Sequence, residues 1–341
     1  MSDRLSERLD QGPVLCAEGY LFELERRGYL QAGAYVPEVV LEHPELVTSL
    51  HREFVHAGSD VVEAFTYYAH REKLRLIGRE DELEPINRAA LEIAASVARD
   101  TGALLAGDIC NTNVYLDDQR SRAAVRAMFD EQIGWAAEAG VDFVIAETFQ
   151  FGGEALLAVE AVRAAGLPAV ATLAIHQDAA TREGWSPAEA CRRLADAGAS
   201  VVGLNCIRGP ETMLPLLRDI LDAVDVPVAA LPVPYRTHSA APTFQSLEDP
   251  AGLGERPFPV GLDPFTCTRH DVAGFAAQAL ELGVRYLGLC CGAAPHHVRA
   301  MAEAMGRRPP ASRYSADMSK HAYLGSDPSL AEENLAFARR L

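Results

Sequence analysis

The sequence predicts a closed barrel of eight parallel β/α units, a (β/α)8 TIM barrel, and three observations predict it. Short apolar runs alternate with longer helical patterns along most of the chain, and that alternation favours a parallel sheet. The alternation supplies eight strands, and eight units favour closure into a barrel. Four of the runs follow a glycine that suits the end of the preceding helix: Gly58, Gly140, Gly198 and Gly283. An open doubly wound sheet is the rival. It is disfavoured because no Gly-x-Gly-x-x-Gly follows the first run and no phosphate loop occurs.

The elements follow in order. Residues 1–11 are polar and charged and lack the apolar core of a signal peptide. The first strand is expected within 13–19, running into a turn at Gly19. Residues 22–29 and 36–57 carry helical periodicity, with Pro37 and Pro44 suited to first helical turns. The second strand is expected over 60–66, an amphipathic helix over 86–100 and the third strand over 103–108. Helices over 123–139, 154–165, 187–197 and 213–224 lead to strands over 141–147, 168–173, 200–206 and 227–231. A helix over 272–282 feeds the eighth strand, which starts at Tyr286, and another helical pattern covers 296–305.

Two regions break this rhythm. Residues 233–270, rich in Pro, Gly and polar side chains, form a long insertion before the last barrel helix. Loops of such length usually serve as lids or binding elements. From Arg307 onward the chain reads as an appendage. The expected division is a catalytic barrel over 1–306 and a C-terminal extension over 307–341, packing on the barrel or on a partner subunit.

Composition excludes several functions. A length of 341 residues suits one α/β barrel. The formal net charge of −17 argues against nucleic acid, whose phosphates need a concentrated positive surface. No apolar stretch is long enough for a transmembrane helix, so no membrane association is expected. Seven cysteines, an odd number in a large unsecreted chain, indicate reduced thiols in the cytoplasm. Cys16, Cys110, Cys191 and Cys267 show no pairing pattern and read as packing residues.

Active sites of such barrels lie at the C-terminal ends of the strands. Those ends carry Glu18, Tyr67, Tyr68, Asp108, Glu147, Cys206, Cys290 and Cys291. Adjacent side chains of a strand point to opposite faces, so Cys290 and Cys291 meet one metal only if the backbone bends, as Gly292 permits. Three thiolates from two strand tips would make a Cys₃ site with the fourth zinc position open for substrate. Buried cysteines acting as small hydrophobes are the other reading, and spacing alone leaves both open.

The segments Gly203-Leu204-Asn205-Cys206 and Gly288-Leu289-Cys290-Cys291-Gly292 resemble the zinc signatures of the homocysteine S-methyltransferase family. The likeness is closest to its betaine–homocysteine branch. It extends over nearly the whole chain and includes Glu42-His43-Pro44-Glu45, His51-Arg52-Glu53-Phe54 and Phe65-Thr66-Tyr67-Tyr68-Ala69. The resemblance implies a Zn²⁺-dependent barrel that passes a methyl group from an onium donor to homocysteine. It implies Cys206, Cys290 and Cys291 as zinc ligands and Glu147 as the acid that holds the homocysteine ammonium. Glu18 stands where the betaine branch has aspartate, and Leu289 replaces a glycine. Tyr68 matches a donor-binding tyrosine; Tyr35 stands where the branch has tryptophan, and Thr148 where it has tyrosine. The chain stops at Leu341 without the long C-terminal arm of animal members, so a homo-oligomer is expected only in general terms.

The residue types suit this chemistry. A thiol with pKa near ~8.5 is mostly protonated at neutral pH, and metal binding deprotonates it. The partners expected are homocysteine and a methylated onium compound, glycine betaine first. Dimethylsulfoniopropionate or S-methylmethionine is the alternative donor, and a non-catalytic zinc-binding barrel is the alternative of a different class. A lyase or aldolase would need a strand-end lysine, yet the only lysines are Lys73 and Lys320. Glu63 and Asp108 are candidates to add negative potential at the mouth, Asn205 to orient a ligand or finish a strand. His296 and His297 read as helix caps or surface groups.

Overall fold

Each strand is a short apolar run, and each is bounded by a proline, glycine or small polar turn that a helix cannot continue through. The computed structural model describes residues 3–249 and 256–341; residues 250–255 of the expected insertion lie outside the described residues. The first half of the barrel runs α1 (Arg4–Gln11), β1 (Val14–Ala17), α2 (Tyr20–Arg26), α3 (Val39–Glu42), α4 (Pro44–Ala57) and β2 (Val61–Glu63). It continues through α5 (Arg71–Ile77), α6 (Leu83–Thr101), β3 (Leu104–Cys110), α7 (Gln119–Glu138), β4 (Phe143–Phe149) and α8 (Gly152–Ala164). The second half runs β5 (Ala169–Leu173), α9 (Pro187–Asp196), β6 (Val201–Asn205), α10 (Pro210–Leu221) and β7 (Val228–Leu231). After the insertion come α11 (Arg269–Leu282), β8 (Tyr286–Leu289), α12 (Pro295–Ala304) and α13 (Glu332–Ala338).

The eight strands form one parallel sheet in the order β1-β8-β7-β6-β5-β4-β3-β2. Its ends nearly meet between β1 and β2, where Asp60 N–H donates to Leu15 O at 2.7 Å and Leu15 N–H donates to the Asp60 carboxylate at 2.7 Å. Ser59 accepts from Ala17 N–H at 3.3 Å across the same seam. The expected (β/α)8 barrel is therefore the observed fold. The strands pack as expected for a barrel core. Val14, Cys16, Val61, Leu104, Ala106, Phe143, Ile145, Val170, Val201, Ala229, Leu231 and Tyr286 form one buried cluster within it.

Three local outcomes differ from the sequence reading. The polar start, given no element, is helix α1. Asp3 caps it through Ser6 N–H, and the fully or nearly fully buried Leu5 and Leu9 join the barrel-interior cluster. The helical pattern over 36–57 is two helices, because His43 precedes Pro44 and is pushed out of the helical region to φ −142°. Helix α5 was also unassigned, and its single buried apolar residue, Leu74, explains why periodicity does not betray it. After α12 the chain is tied back to the barrel by Arg307, which pairs with Asp60 at 2.7 Å. Beyond that point Tyr314, Met318, Tyr323, Leu324 and Phe337 are exposed. No helix among the described residues is long and apolar enough to cross a membrane.

Candidate functional site

Strand β6 ends at Asn205, and the chain turns at once through Cys206 and Ile207, both left-handed at φ 55° and 57°. Strand β8 ends at Leu289, so Cys290 and Cys291 lie in a turn rather than in the strand, followed by Gly292 at φ 95°. That bend brings both sulfurs to one side. A Cβ at Gly292 would clash with the Tyr235 hydroxyl, so the turn needs glycine for space as well as for conformation.

The sulfurs of Cys206, Cys290 and Cys291 lie within 4.8 Å of one another, with 3.9 Å between Cys290 and Cys291. Thiolates at two corners of a zinc tetrahedron stand about 3.8 Å apart, given Zn–S bonds of about 2.3 Å. A disulfide would need about 2.05 Å. The set therefore fits a metal ion and is too open for a covalent bond. The thiols also interact with each other. Hydrogen bonds from Cys290 and Cys291 hold Cys206 well below the ordinary thiol range, and the same sharing pushes Cys290 up.

Beside the thiols, Glu18, Glu63, Asp108 and Glu147 extend from the ends of β1 to β4, all buried. Glu63, Asp108 and Glu147 offer oxygens within 4.8 Å of one another, as do Glu18 and Glu147 with the Cys290 sulfur. Burial, reinforced by repulsion from neighbouring carboxylates, holds Glu18, Glu63 and Asp108 well above the usual carboxyl range. Glu147 is pushed up to about 8, chiefly by burial, against the pull of its hydrogen bonds from Thr148 and Asn205. The Thr148 hydroxyl donates to Glu147 at 2.9 Å, and the Asn205 amide donates to both the Glu147 carboxylate and, at 2.9 Å, the Thr148 hydroxyl. Asn205 in turn accepts from Thr148 N–H at 2.9 Å and reaches the Cys290 sulfur at 3.9 Å. It thus joins the carboxylate side of the mouth to the thiol side.

The space framed by Glu18, Glu63, Tyr67, Asp108, Glu147, Cys290 and Cys291 leaves about 20 Å³ open to the centre of a water-sized sphere. That is room for about one small polar group. The Tyr67 ring lines this space. Tyr68 packs against Tyr67 with 4.3 Å between centroids and carries the Lys73 ammonium 3.9 Å from its own centroid. Tyr35 stacks on Phe22 at 5.8 Å, and burial, reinforced by the nearby Cys291 thiol, raises its phenol. Tyr35, Tyr68, Thr148 and Cys206 all take φ between 54° and 62°. Backbone held in this sparsely populated region collects at functional sites.

The structure brings the predicted Cys206, Cys290, Cys291, Glu18 and Glu147 together, with Glu63 and Asp108 joining them. Thr148 turns its hydroxyl to Glu147, and Tyr35 and Tyr68 stand farther out. His297 is buried and closes the start of α12, accepting from Ala294 N–H at 3.3 Å, with Nε2 3.0 Å from Cys267 O. Cys16, Cys110, Cys191 and Cys267 are buried free thiols. Sequence reasoning missed Arg26, Phe22, Tyr235 and Phe244. Arg26 donates to the Tyr235 hydroxyl at 2.7 Å and to Gly292 O at 3.2 Å, bracing the Cys-Cys-Gly turn. Phe244 of the insertion packs on Phe22 at 6.1 Å and Tyr235 at 6.0 Å, which seats the insertion against the Tyr35 loop. The aromatic residues inside an otherwise Pro-rich insertion were the only available signal.

Fold and site together define a (β/α)8 barrel whose rim gathers thiols able to hold a metal beside carboxylates able to take a cationic group. The model of the homocysteine S-methyltransferase family matches residues 19–305. Betaine–homocysteine S-methyltransferase 1 of Rattus norvegicus is 38% identical over 329 residues, 94% of this chain and 78% of that protein. An S-methylmethionine–homocysteine S-methyltransferase of the same organism is 37% identical over 94% of this chain and 85% of its own length. The metallated form of the homocysteine methyltransferase MmuM from Escherichia coli shares the fold, with TM-score 0.68 and 20% identity over 88% of this chain and 99% of that one. The chain belongs to the homocysteine S-methyltransferase family.

Proposed function

We propose that this protein transfers a methyl group from an onium donor to homocysteine, forming methionine, with Zn²⁺ held by Cys206, Cys290 and Cys291. The convergence of three sulfurs within 4.8 Å of one another carries this reading. Zinc, when bound, holds its thiol ligands as thiolates and keeps a coordinated substrate sulfur electron-rich. Glu147 and Glu18 receive the substrate ammonium, while Asn205 and Thr148 fix the Glu147 carboxylate. The sulfur lone pair then forms the S–CH₃ bond as the donor's bond to that methyl breaks. The bonding pair leaves with the donor nitrogen or sulfur, which becomes neutral, and the thiol proton passes to solvent. In-line alignment within about 3–3.5 Å is the main requirement, and no general base acting on water is needed.

Tyr68 and Tyr35 are proposed to face the donor cation. Glycine betaine is the leading donor, and 38% identity to a betaine-dependent relative supports it. The similarity to an S-methylmethionine-dependent relative supports a sulfonium as the second reading. The reaction is placed in the reducing cytoplasm, where free thiols persist. Residues 307–341 are assigned as an extension, and its exposed apolar residues suit contact with a second copy of the chain. Methionine formation from homocysteine, measured with betaine, dimethylsulfoniopropionate, S-methylmethionine and methyltetrahydrofolate, tests the function. One onium donor should dominate, and a chelator should abolish its turnover. Turnover with methyltetrahydrofolate alone would refute the onium reading. Metal binding with no turnover from any donor would favour the non-catalytic barrel.

A further inference from the structure

The three sulfurs come from two turns, and the turns are held differently. Cys290 and Cys291 share one turn, which Gly292 bends and Arg26 and Tyr235 brace. Cys206 stands alone at the end of β6, and no glycine occupies the left-handed positions of its turn. Cys206 and Ile207 take φ 55° and 57° in succession, a conformation least suited to a β-branched side chain. Both residues are buried. Backbone of this kind persists only where its surroundings fix it. Toward β7 and the insertion the main chain is held by Val233 N–H, which donates to Arg208 O at 3.0 Å, and Phe244 N–H, which donates to Ile207 O at 2.9 Å. Toward β5 it is held by the Arg208 side chain. Arg208 is buried, and every side-chain hydrogen bond it makes among the described residues ends on a main-chain carbonyl. Its Nε donates to Ile175 O at 3.1 Å, one terminal nitrogen to His176 O and, at 3.2 Å, Gln177 O, and the other to Thr212 O at 3.4 Å. The guanidinium thus ties the chain beyond β5 to the first turn of α10, with the Cys206 turn between them in sequence.

We propose that Arg208 is the positioning residue for Cys206: its fork of hydrogen bonds holds the left-handed turn that carries the third sulfur to the Cys290–Cys291 pair. The inference rests on the reading of these three cysteines as zinc ligands. A planar guanidinium satisfies carbonyls in several directions at once, whereas an ammonium is a compact charge on a flexible stem. Release of the fork frees Ile207 to return to negative φ. Cys206 directly precedes it, so its sulfur then leaves the set that lies within 4.8 Å. Cys290 and Cys291 stay, because their turn is braced separately by Arg26 and Tyr235. The site then offers a zinc ion two thiolates in place of three. Arg208 acts through Cys206 and is not placed against either substrate.

The test reads the metal site rather than turnover. Zinc affinity of the full chain is measured by competition with a chromogenic chelator. Co²⁺ in place of zinc reports thiolate ligation through its charge-transfer and ligand-field bands. R208M removes the fork and should weaken zinc by about tenfold to a hundredfold, as for residues that orient metal ligands. Its cobalt bands should lose the contribution of one thiolate. R208K keeps the charge without the fork and should lie nearer to R208M than to the parent. If R208M does not fold, R208K carries the comparison. R307M is the control for stability. It breaks the Arg307–Asp60 pair at the N-terminal ends of the strands, and should lower Tm while zinc affinity stays close to the parent's. Parent-like affinity and cobalt bands in R208M would leave Arg208 a support of the fold alone and overturn the assignment. Parent-like affinity in R208K would make its charge the source, and equal zinc loss in R307M would make stability the source; each overturns it too. All three results leave zinc-dependent methyl transfer standing, whereas failure of the parent to bind zinc or cobalt overturns both.

Discussion

The mouth of the barrel has two halves built on opposite principles. On the β6–β8 side, the three thiols are one another's partners, and Asn205 reaches the Cys290 sulfur at 3.9 Å. On the β1–β4 side, one oxygen each of Glu63 and Asp108 is buried without a hydrogen-bond partner among the described residues. Such orphaned groups are costly and call for a reason. The thiol half is already shaped for a metal, whereas the carboxylate half is unfinished until a cation enters it. Substrate ammonium is the cation that the proposed reaction supplies. In the proposed reaction, that cation would offset the mutual repulsion of these carboxylates.

Breaking the thiol half should have the largest effect. Cys206→Ser, Cys290→Ser and Cys291→Ser should each lose most bound zinc and lower kcat by about three orders of magnitude or more. Metal per chain by mass spectrometry checks this, and full occupancy in all three variants would sink the ligand assignment. Breaking the carboxylate half is milder. A charge-assisted hydrogen bond contributes about 1.5–3 kcal/mol, so Glu147→Gln should weaken homocysteine by about tenfold or more while zinc content stays unchanged. Unaltered homocysteine affinity would remove Glu147 from the ammonium site.

The two halves also differed in how legible they were. Cys206, Cys290 and Cys291 stood out because each ends an apolar run at a turn, while their reading as zinc ligands rather than packing thiols came from the family resemblance. The barrel itself was legible because parallel strands buried on both faces read as continuous apolar runs. Helix α1 was not, since only Leu5 and Leu9 of it turn inward and the rest is polar. Nor was the link from Asn205 to Glu147, for those residues lie on β6 and β4 and no periodicity connects them. The bracing of Gly292 by Arg26 and Tyr235 likewise joins segments far apart in the chain. Strand ends can be found from local pattern; what meets across the mouth depends on closure of the whole ring.

Glu63 and Asp108 sharpen the comparison through pH. Burial is the first cause that raises both, followed by the negative charge of neighbouring carboxylates. Their folded pKa values therefore lie above the unfolded values near ~4. Between those limits the native state holds protons that the unfolded chain has released, so stability falls as pH rises through the window. His51 and His70, lowered by burial to about 3 and about 4, act on the acid side. There the unfolded chain takes up protons first, and stability falls as pH drops below ~6.5. The double variant Glu63→Gln with Asp108→Asn should thus melt higher than the parent at pH 8 and lose that advantage toward pH 4, with the acid limb unchanged. Melting curves at equal zinc load decide it. A constant difference across the range would mean that these carboxyls do not titrate with folding.

The smallest effect tests which half Thr148 serves. Resemblance assigns it to the donor, yet its hydroxyl donates to Glu147 at 2.9 Å and accepts from Asn205 at 2.9 Å. A hydroxyl in that position supports the Glu147 carboxylate directly. Thr148→Val deletes the hydroxyl at constant shape and leaves Glu147 held by Asn205 alone. One neutral hydrogen bond contributes about 1 kcal/mol, so homocysteine KM should rise about fivefold while donor KM stays within about twofold. Thr148→Ser keeps the hydroxyl and should retain the parent KM. It should also gain slightly in stability, because a β-branched residue is poorly suited to the φ of 62° found here. A shift confined to donor KM in Thr148→Val would instead place this residue in the donor pocket and return Glu147 to the support of Asn205 alone.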